Sequence, residues 1–63
     1  MKSIRNSIEL LMQINVEMME SVNEYIDNCI HEHLDISLDR VNNILKYFRN
    51  LKTDIANQFL SPN

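Results

Sequence analysis

Residues 29–41 read CIHEHLDISLDRV, and the helical pattern of the chain changes phase within this stretch. Before it, apolar side chains recur at alternating spacings of four and three residues, which is the heptad pattern of an amphipathic α-helix. After it, the same spacing resumes with a shift of two residues, or about 200° around a helix. One straight helix cannot bury both rows of side chains on the same side. The pattern therefore predicts two helices joined by a turn.

The two rows define the predicted contact faces of the helices. The first row is Ile4, Ile8, Leu11, Asn15, Met18, Val22, Tyr25 and Cys29. The second row is Leu34, Leu38, Val41, Leu45, Phe48, Lys52, Ile55 and Phe59. We predict an all-α, antiparallel helical hairpin in one domain, residues 1–63, with helices at about 3–32 and 37–60, a turn at about 33–37 and a short C-terminal tail.

The turn is predicted between His33 and Ser37. Asp35 and Ser37 are both suited to cap the second helix, because their side-chain oxygens can accept hydrogen bonds from amides of its first turn. The chain contains no glycine, and its single proline, Pro62, lies in the tail. Since neither residue marks the turn, a kinked or continuous helix that pairs only between chains is the alternative architecture.

Length and composition limit the stability of a single hairpin. A chain of 63 residues builds only a small hydrophobic core. Its lone cysteine, Cys29, cannot form an intrachain disulfide, and the Cys/His pairs of structural zinc sites do not recur. Self-association or a bound partner is the remaining source of stability. We therefore expect the hairpin to dimerise into an antiparallel four-helix bundle.

Both helices carry more apolar side chains than a two-helix contact can cover. The residues predicted to mediate self-association are Leu11, Met18, Val22, Leu38, Leu45, Phe48 and Ile55. Those that a hairpin leaves uncovered, and that are predicted to bind a protein partner, are Met12, Met19, Ile26, Ile44, Tyr47 and Leu51. Asn15 is a polar residue in the first row and is suited to fix the register, by pairing with its counterpart or with a polar group such as Lys52.

Charge is divided unequally along the chain, whose net charge is −3. Between Glu9 and Asp35 there are seven acidic and no basic residues, whereas the segment from Arg40 to Lys52 holds four basic and no acidic ones. This complementarity favours a first helix that lies beside a second helix, in the same chain or in another. If the chain bound nucleic acid, the phosphates would meet Arg40, Lys46, Arg49 and Lys52. Because nucleic-acid-binding domains are typically basic, we do not expect such a partner.

No feature of the sequence predicts catalysis, a metal site or a cofactor. Cys29 and His33 are four residues apart and share a helix face, but packing and the helix dipole alone would produce such a pair. The lack of glycine excludes glycine-rich phosphate-binding loops, and no oxyanion-stabilising loop is present. No run approaches the ~18 apolar residues of a membrane span. We expect a cytoplasmic protein that is not an enzyme.

Two families resemble the chain in part. Its length and two-helix plan are similar to the plasmid-copy-number RNA-binding protein Rop, whose hairpins dimerise into a four-helix bundle. That resemblance is architectural, without a shared motif or alanine layers, so RNA binding is not carried over from it. A Rop-like nucleic-acid-binding regulator that uses the basic second helix is an alternative interpretation. Residues 34–45, LDISLDRVNNIL, look like the central segment of phasins, the amphipathic coats of polyester storage granules, which implies a surface-active protein. The residues themselves favour a small interaction protein that binds a protein partner, as a regulator, chaperone or inhibitor does.

Overall fold

The computed structural model describes residues 4–60, with side chains up to residue 58. Its two α-helices are α1, Ile4–His31, and α2, Leu38–Leu60, and no strand occurs among the described residues. The prediction of an all-α hairpin is confirmed, and the turn joins the helices within one chain. The predicted C-terminal tail, residues 61–63, lies outside the described residues. No helix in this part of the chain is long and apolar enough to span a membrane.

The hairpin is a single layer of helices. Its Cα atoms extend over 50 × 18 × 8 Å, and its radius of gyration is 15.1 Å, against about 10.6 Å for a compact domain of this length. Each helix therefore has a neighbour on one side only. Both broad faces of the layer are left open to other molecules.

The end of α1 is a Schellman-type cap centred on His33. The amide of His33 donates to the carbonyl of Ile30 at 3.3 Å, and the amide of Leu34 donates to the carbonyl of Cys29 at 2.8 Å. His33 has a φ of 57°, the left-handed conformation that glycine usually adopts at this position. Histidine is among the residues found there more often than most. The chain can therefore reverse direction without a glycine.

The start of α2 is capped by Ser37 and not by Asp35. The Ser37 hydroxyl accepts a hydrogen bond from the amide of Arg40 at 3.3 Å, and the Ser37 carbonyl accepts one from the amide of Val41 at 3.1 Å. The Ser37 amide in turn donates to the hydroxyl of Tyr25 at 2.9 Å. This last bond attaches the cap of α2 to the side of α1.

The core consists of few residues. Within the described part of the chain, Ile14 and Cys29, each 4% exposed, are the only buried hydrophobic residues. The predicted first row is wrong at Ile4 and Ile8, which are exposed. Asn15 is also exposed, but it lies at the edge of the contact, where it bonds Lys52 of α2. In place of the predicted row, the contact face of α1 is rotated toward Ile14 and the half-buried serines at positions 7 and 21. A contact row predicted from apolar residues alone omits these serines, although their small side chains allow the helices to approach closely.

The predicted second row is correct in its middle and wrong at its start. Val41, Leu45, Phe48, Lys52 and Ile55 are half-buried, and the side chain of Phe59 lies outside the described residues. Leu34 lies in the turn, and Leu38 begins α2; both are exposed. The reason is the cap: Ser37 occupies the inward position just before α2, so the helical spacing cannot be extended back through the turn.

Candidate interaction surfaces

One side of the hairpin is apolar. Met12, Met19 and Ile26 follow one another every seven residues on α1, as do Leu38, Leu45 and Lys52 on α2. A groove with a volume of about 200 Å³ is lined by Met18, Met19, Val22, Asn23 and Leu45. Because Met19 and Leu45 line the same groove, the two rows lie on the same side of the layer. We call this side the apolar face and define it by Ile8, Met12, Met19, Ile30, Leu38 and Leu45.

The apolar face is accessible. Met19 is 62% exposed, and Ile8, Met12, Ile30 and Leu38 are also exposed. Ile30 lies four residues after Ile26, so the helical spacing that marks Met12 and Met19 could have identified it. Exposed apolar side chains in one contiguous patch are typical of a surface that another molecule covers.

The opposite side of the hairpin is mostly charged. Leu10, Glu17 and Glu24 are spaced by seven residues on α1, and Arg40, Tyr47 and Asp54 are spaced by seven on α2. All six are exposed, and we call this side the charged face. Its aromatic residue, Tyr47, is 64% exposed and packs edge-on against Phe48, with ring centroids 5.0 Å apart.

The six residues predicted to bind a partner do not form one surface. Met12, Met19 and Ile26 lie on the side of the apolar face. At 3.6 residues per turn, the other three lie on the opposite side of α2 from Leu45: Ile44, Tyr47 and Leu51. The expectation that a hairpin leaves all six uncovered is wrong for the three that are half-buried, Ile26, Ile44 and Leu51. These three lie at the edges of the contact between α1 and α2, where the neighbouring helix partly covers them.

The residues predicted to mediate self-association lie mainly between the two helices of one chain. Six of the seven are half-buried there: Leu11, Met18, Val22, Leu45, Phe48 and Ile55. The seventh, Leu38, is exposed on the apolar face. A second copy could bury all seven further, and their role in self-association stays a prediction.

A polar pair interrupts the apolar face. The Lys52 ammonium donates a hydrogen bond of 2.8 Å to Oδ1 of Asn15, so the predicted pairing of Asn15 with Lys52 is confirmed. The bond joins α1 to α2 near the middle of the layer. It favours one register of α1 relative to α2.

The basic residues of α2 are spread around the helix. Lys46, Arg49 and Lys52 follow at three-residue intervals, so by helical angle they run from the outer side of α2 onto the apolar face. Arg40 lies on the charged face, with its guanidinium carbon 5.6 Å from the centre of the Tyr25 ring. Arg40 and Lys52 thus each make a contact with α1 of the same chain, to Tyr25 and to Asn15. The four residues named for phosphate contact do not form one basic surface.

The helices as wholes carry opposite charge. α1 contains five acidic residues and one arginine, for a net charge of −4, while α2 contains four basic residues and two aspartates, for a net charge of +2. The acidic residues of α1 lie on its outer side and on the charged face, and all are exposed. By their helical angles, none of them lies on the apolar face.

Cys29 and His33 are not placed as a metal-binding pair. The Cys29 thiol is buried, and His33 is exposed in the turn. Within the described residues, no three or more histidine, cysteine, aspartate or glutamate side chains are grouped so that they could hold a metal ion.

Comparison of the chain with models of protein families, with curated proteins and with solved structures finds no match in any of the three.

Proposed function

We propose that the protein is a non-enzymatic, cytoplasmic helical interaction module. In this proposal the hairpin self-associates, with a four-helix bundle as the assembled form, and acts by occupying a protein partner as a small regulator, chaperone or inhibitor does. The apolar face supports self-association, and the charged face supports binding of a partner.

The observation that carries the proposal is the surplus of exposed surface. The chain has a mass of 7.5 kDa and an accessible surface of 5463 Å². A compact monomer of that mass exposes about 4,250 Å², so the surplus is about 1,200 Å². A typical stable interface buries about 800 Å² on each partner. One chain therefore exposes enough surplus surface for a stable contact.

The charged face is suited to a second kind of contact. If another copy covers the apolar face, Tyr47 and Leu10 remain exposed among Glu17, Glu24 and Arg40. Aromatic anchors within a charged rim are typical of protein interfaces in which a few residues carry most of the binding free energy. This surface would also remain hydrated enough to keep the assembled protein soluble.

The test of self-association is the mass in solution by light scattering, with the helical circular dichroism signal followed over a hundredfold dilution. We expect a helical dimer or tetramer that loses helicity on dilution, because two buried hydrophobic residues provide little stability to a single hairpin. A fully helical monomer at every concentration would overturn the proposed self-association.

A surface-active protein is the second candidate, favoured by the one-sided distribution of apolar residues in a single layer of helices, whose Cα atoms span 8 Å across the layer. Such a layer could lie on a lipid or polymer surface with its apolar face down. In that case helicity rises only when vesicles or polymer particles are added. Full helicity in buffer, together with a defined dimer mass, would exclude this candidate.

A further inference from the structure

We infer that a second copy of this chain covers the apolar face, with α2 of each copy lying against α1 of the other and both hairpin turns at the same end. This inference rests on the proposed self-association and adds the surface, the neighbouring helices and the orientation.

The distribution of exposed residues identifies the surface. The apolar face displays Ile8, Met12, Met19, Ile30 and Leu38. By helical angle it holds none of the carboxylates of α1, and the exposed Arg49 lies on its α2 side. The groove beside Met19 and Leu45 gives this face a recess into which side chains of a second copy could pack. The charged face displays only two large apolar side chains, Leu10 and Tyr47, among charges.

The area identifies a second copy as a sufficient occupant. The surplus of about 1,200 Å², counted over the whole surface of the chain, exceeds the roughly 800 Å² that each partner contributes to an interface of standard size. In a two-fold symmetric dimer the same patch serves both copies, so one exposed face is enough. Stacking two layers face to face also places the half-buried Met18, Val22 and Leu45 inside a four-helix core.

The charges distinguish the two possible orientations. A two-fold axis that runs across the helices would place α1 on α1 and α2 on α2, so that helices of net charge −4 face each other. A two-fold axis that runs along the helices places α1 on α2 of the partner, so that charges of −4 and +2 alternate around the bundle. Although no carboxylate of α1 lies on the contacting face, neighbouring helices of like net charge repel and those of opposite net charge attract, which favours the second axis. The second axis keeps both turns at one end.

The surface is tested with two variants of matched exposure. Met19→Glu places a carboxylate on the apolar face, and Tyr47→Glu places one on the charged face; the original side chains are 62% and 64% exposed. We expect Met19→Glu to weaken self-association on the order of tenfold or more, because the carboxylate would be buried without a partner, and Tyr47→Glu to leave it unchanged. Sedimentation equilibrium measures both.

The orientation is tested with nitroxide spin labels in a Cys29→Ala background, once that variant has the same mass and helicity as the parent. A label at Asp35→Cys lies in the turn. Its distance to the same label in the partner should fall well below the 50 Å length of the hairpin if the turns share one end, and should approach that length if they lie at opposite ends. A label at Glu20→Cys, near the middle of α1, gives a short distance in either orientation and so reports association alone.

The outcomes separate this inference from the proposed function. A monomeric parent chain at every concentration overturns both. A dimer that Met19→Glu leaves intact and Tyr47→Glu disrupts overturns the assigned surface but keeps the proposed self-association. A dimer with a short distance at position 20 and a long one at position 35 overturns the orientation alone.

Discussion

Lys52 in α2 donates a 2.8 Å hydrogen bond to Asn15 in α1, and this polar pair lies between the exposed apolar side chains of Met12 and Met19 on one side of the hairpin. In helical assemblies, a polar group at a core position selects register and orientation at a cost in stability. The pair has that position in the dimer we propose.

Replacing both partners with leucine, Asn15→Leu with Lys52→Leu, should therefore strengthen self-association and weaken its specificity. We expect the dissociation constant to fall roughly tenfold, because two polar groups no longer lose water on assembly. We also expect the distribution of distances between labels at position 35 to become broader, because the orientation is less strictly selected. Sedimentation equilibrium and spin-label distances measure the two effects. Asn50→Leu, which adds the same side chain on the outer side of α2, is the control and should leave the constant unchanged. A weaker dimer in the double variant would mean that the pair stabilises the interface.

Much of the fold could be predicted from the spacing of apolar residues. The phase change between residues 29 and 41 located the turn, and α1 ends at His31 where about 32 was predicted. The sequence offers Asp35 and Ser37 as candidates for the N-cap of α2, but the spacing of apolar residues cannot choose between them. In the structure the hydroxyl of Ser37 makes the capping bond, and the amide of the same residue bonds the hydroxyl of Tyr25 in α1, a tertiary contact that spacing does not reveal.

The surfaces were less predictable. Met12, Met19 and Tyr47 are exposed as flank residues should be, but the sequence did not show that Tyr47 lies on the opposite side of the layer from the two methionines. The sides of two helices can be related only when their register and rotation are known. Here that relation depends on Ile14, which faces α2 although it lies outside the predicted row.

Ile14→Ala should be among the most destabilising changes in α1. The side chain is 4% exposed, and deleting buried methyl groups of this kind costs about 2–4 kcal/mol of unfolding free energy. Urea unfolding at a fixed chain concentration measures the change. Leu10→Ala is the control, since Leu10 is 49% exposed on the charged face, which the proposed dimer leaves open, and it should cost much less. Equal costs would show that Ile14 is not part of the contact between α1 and α2.

Ser37→Ala should lower the free energy of unfolding by about 1 kcal/mol, because the amide of Arg40 loses the hydroxyl that it meets at 3.3 Å. Asp35→Ala should be nearly neutral, since Asp35 is exposed and the cap position belongs to Ser37. Thermal unfolding followed by circular dichroism at equal concentrations compares the two. A larger loss from Asp35→Ala would assign the cap to the aspartate.

His33→Gly should stabilise the hairpin. His33 has a φ of 57°, and a residue with a side chain pays a conformational penalty there that glycine does not. We expect a gain of about 0.5–1 kcal/mol in unfolding free energy, reduced somewhat by the greater freedom of glycine in the unfolded chain. Glu32→Gly, one residue earlier and without the left-handed conformation, should instead lose stability. If both variants were less stable than the parent, His33 would contribute a contact that outweighs its backbone cost.

Tyr25→Phe isolates the bond that attaches the cap of α2 to α1. The change removes the hydroxyl that accepts from the Ser37 amide at 2.9 Å and keeps the ring on which Arg40 lies. We expect a loss of about 1 kcal/mol, because the part-buried amide is left without its acceptor. Hydrogen exchange at the Ser37 amide, measured by NMR, should become faster, while exchange in the middle of α1 changes only with global stability. Tyr47→Phe, which removes a hydroxyl from an exposed ring, is the control and should leave both exchange and stability unchanged. Unaltered exchange at Ser37 in Tyr25→Phe would show that the tyrosine hydroxyl does not protect this amide, and would overturn the role of this bond in attaching the cap of α2 to α1.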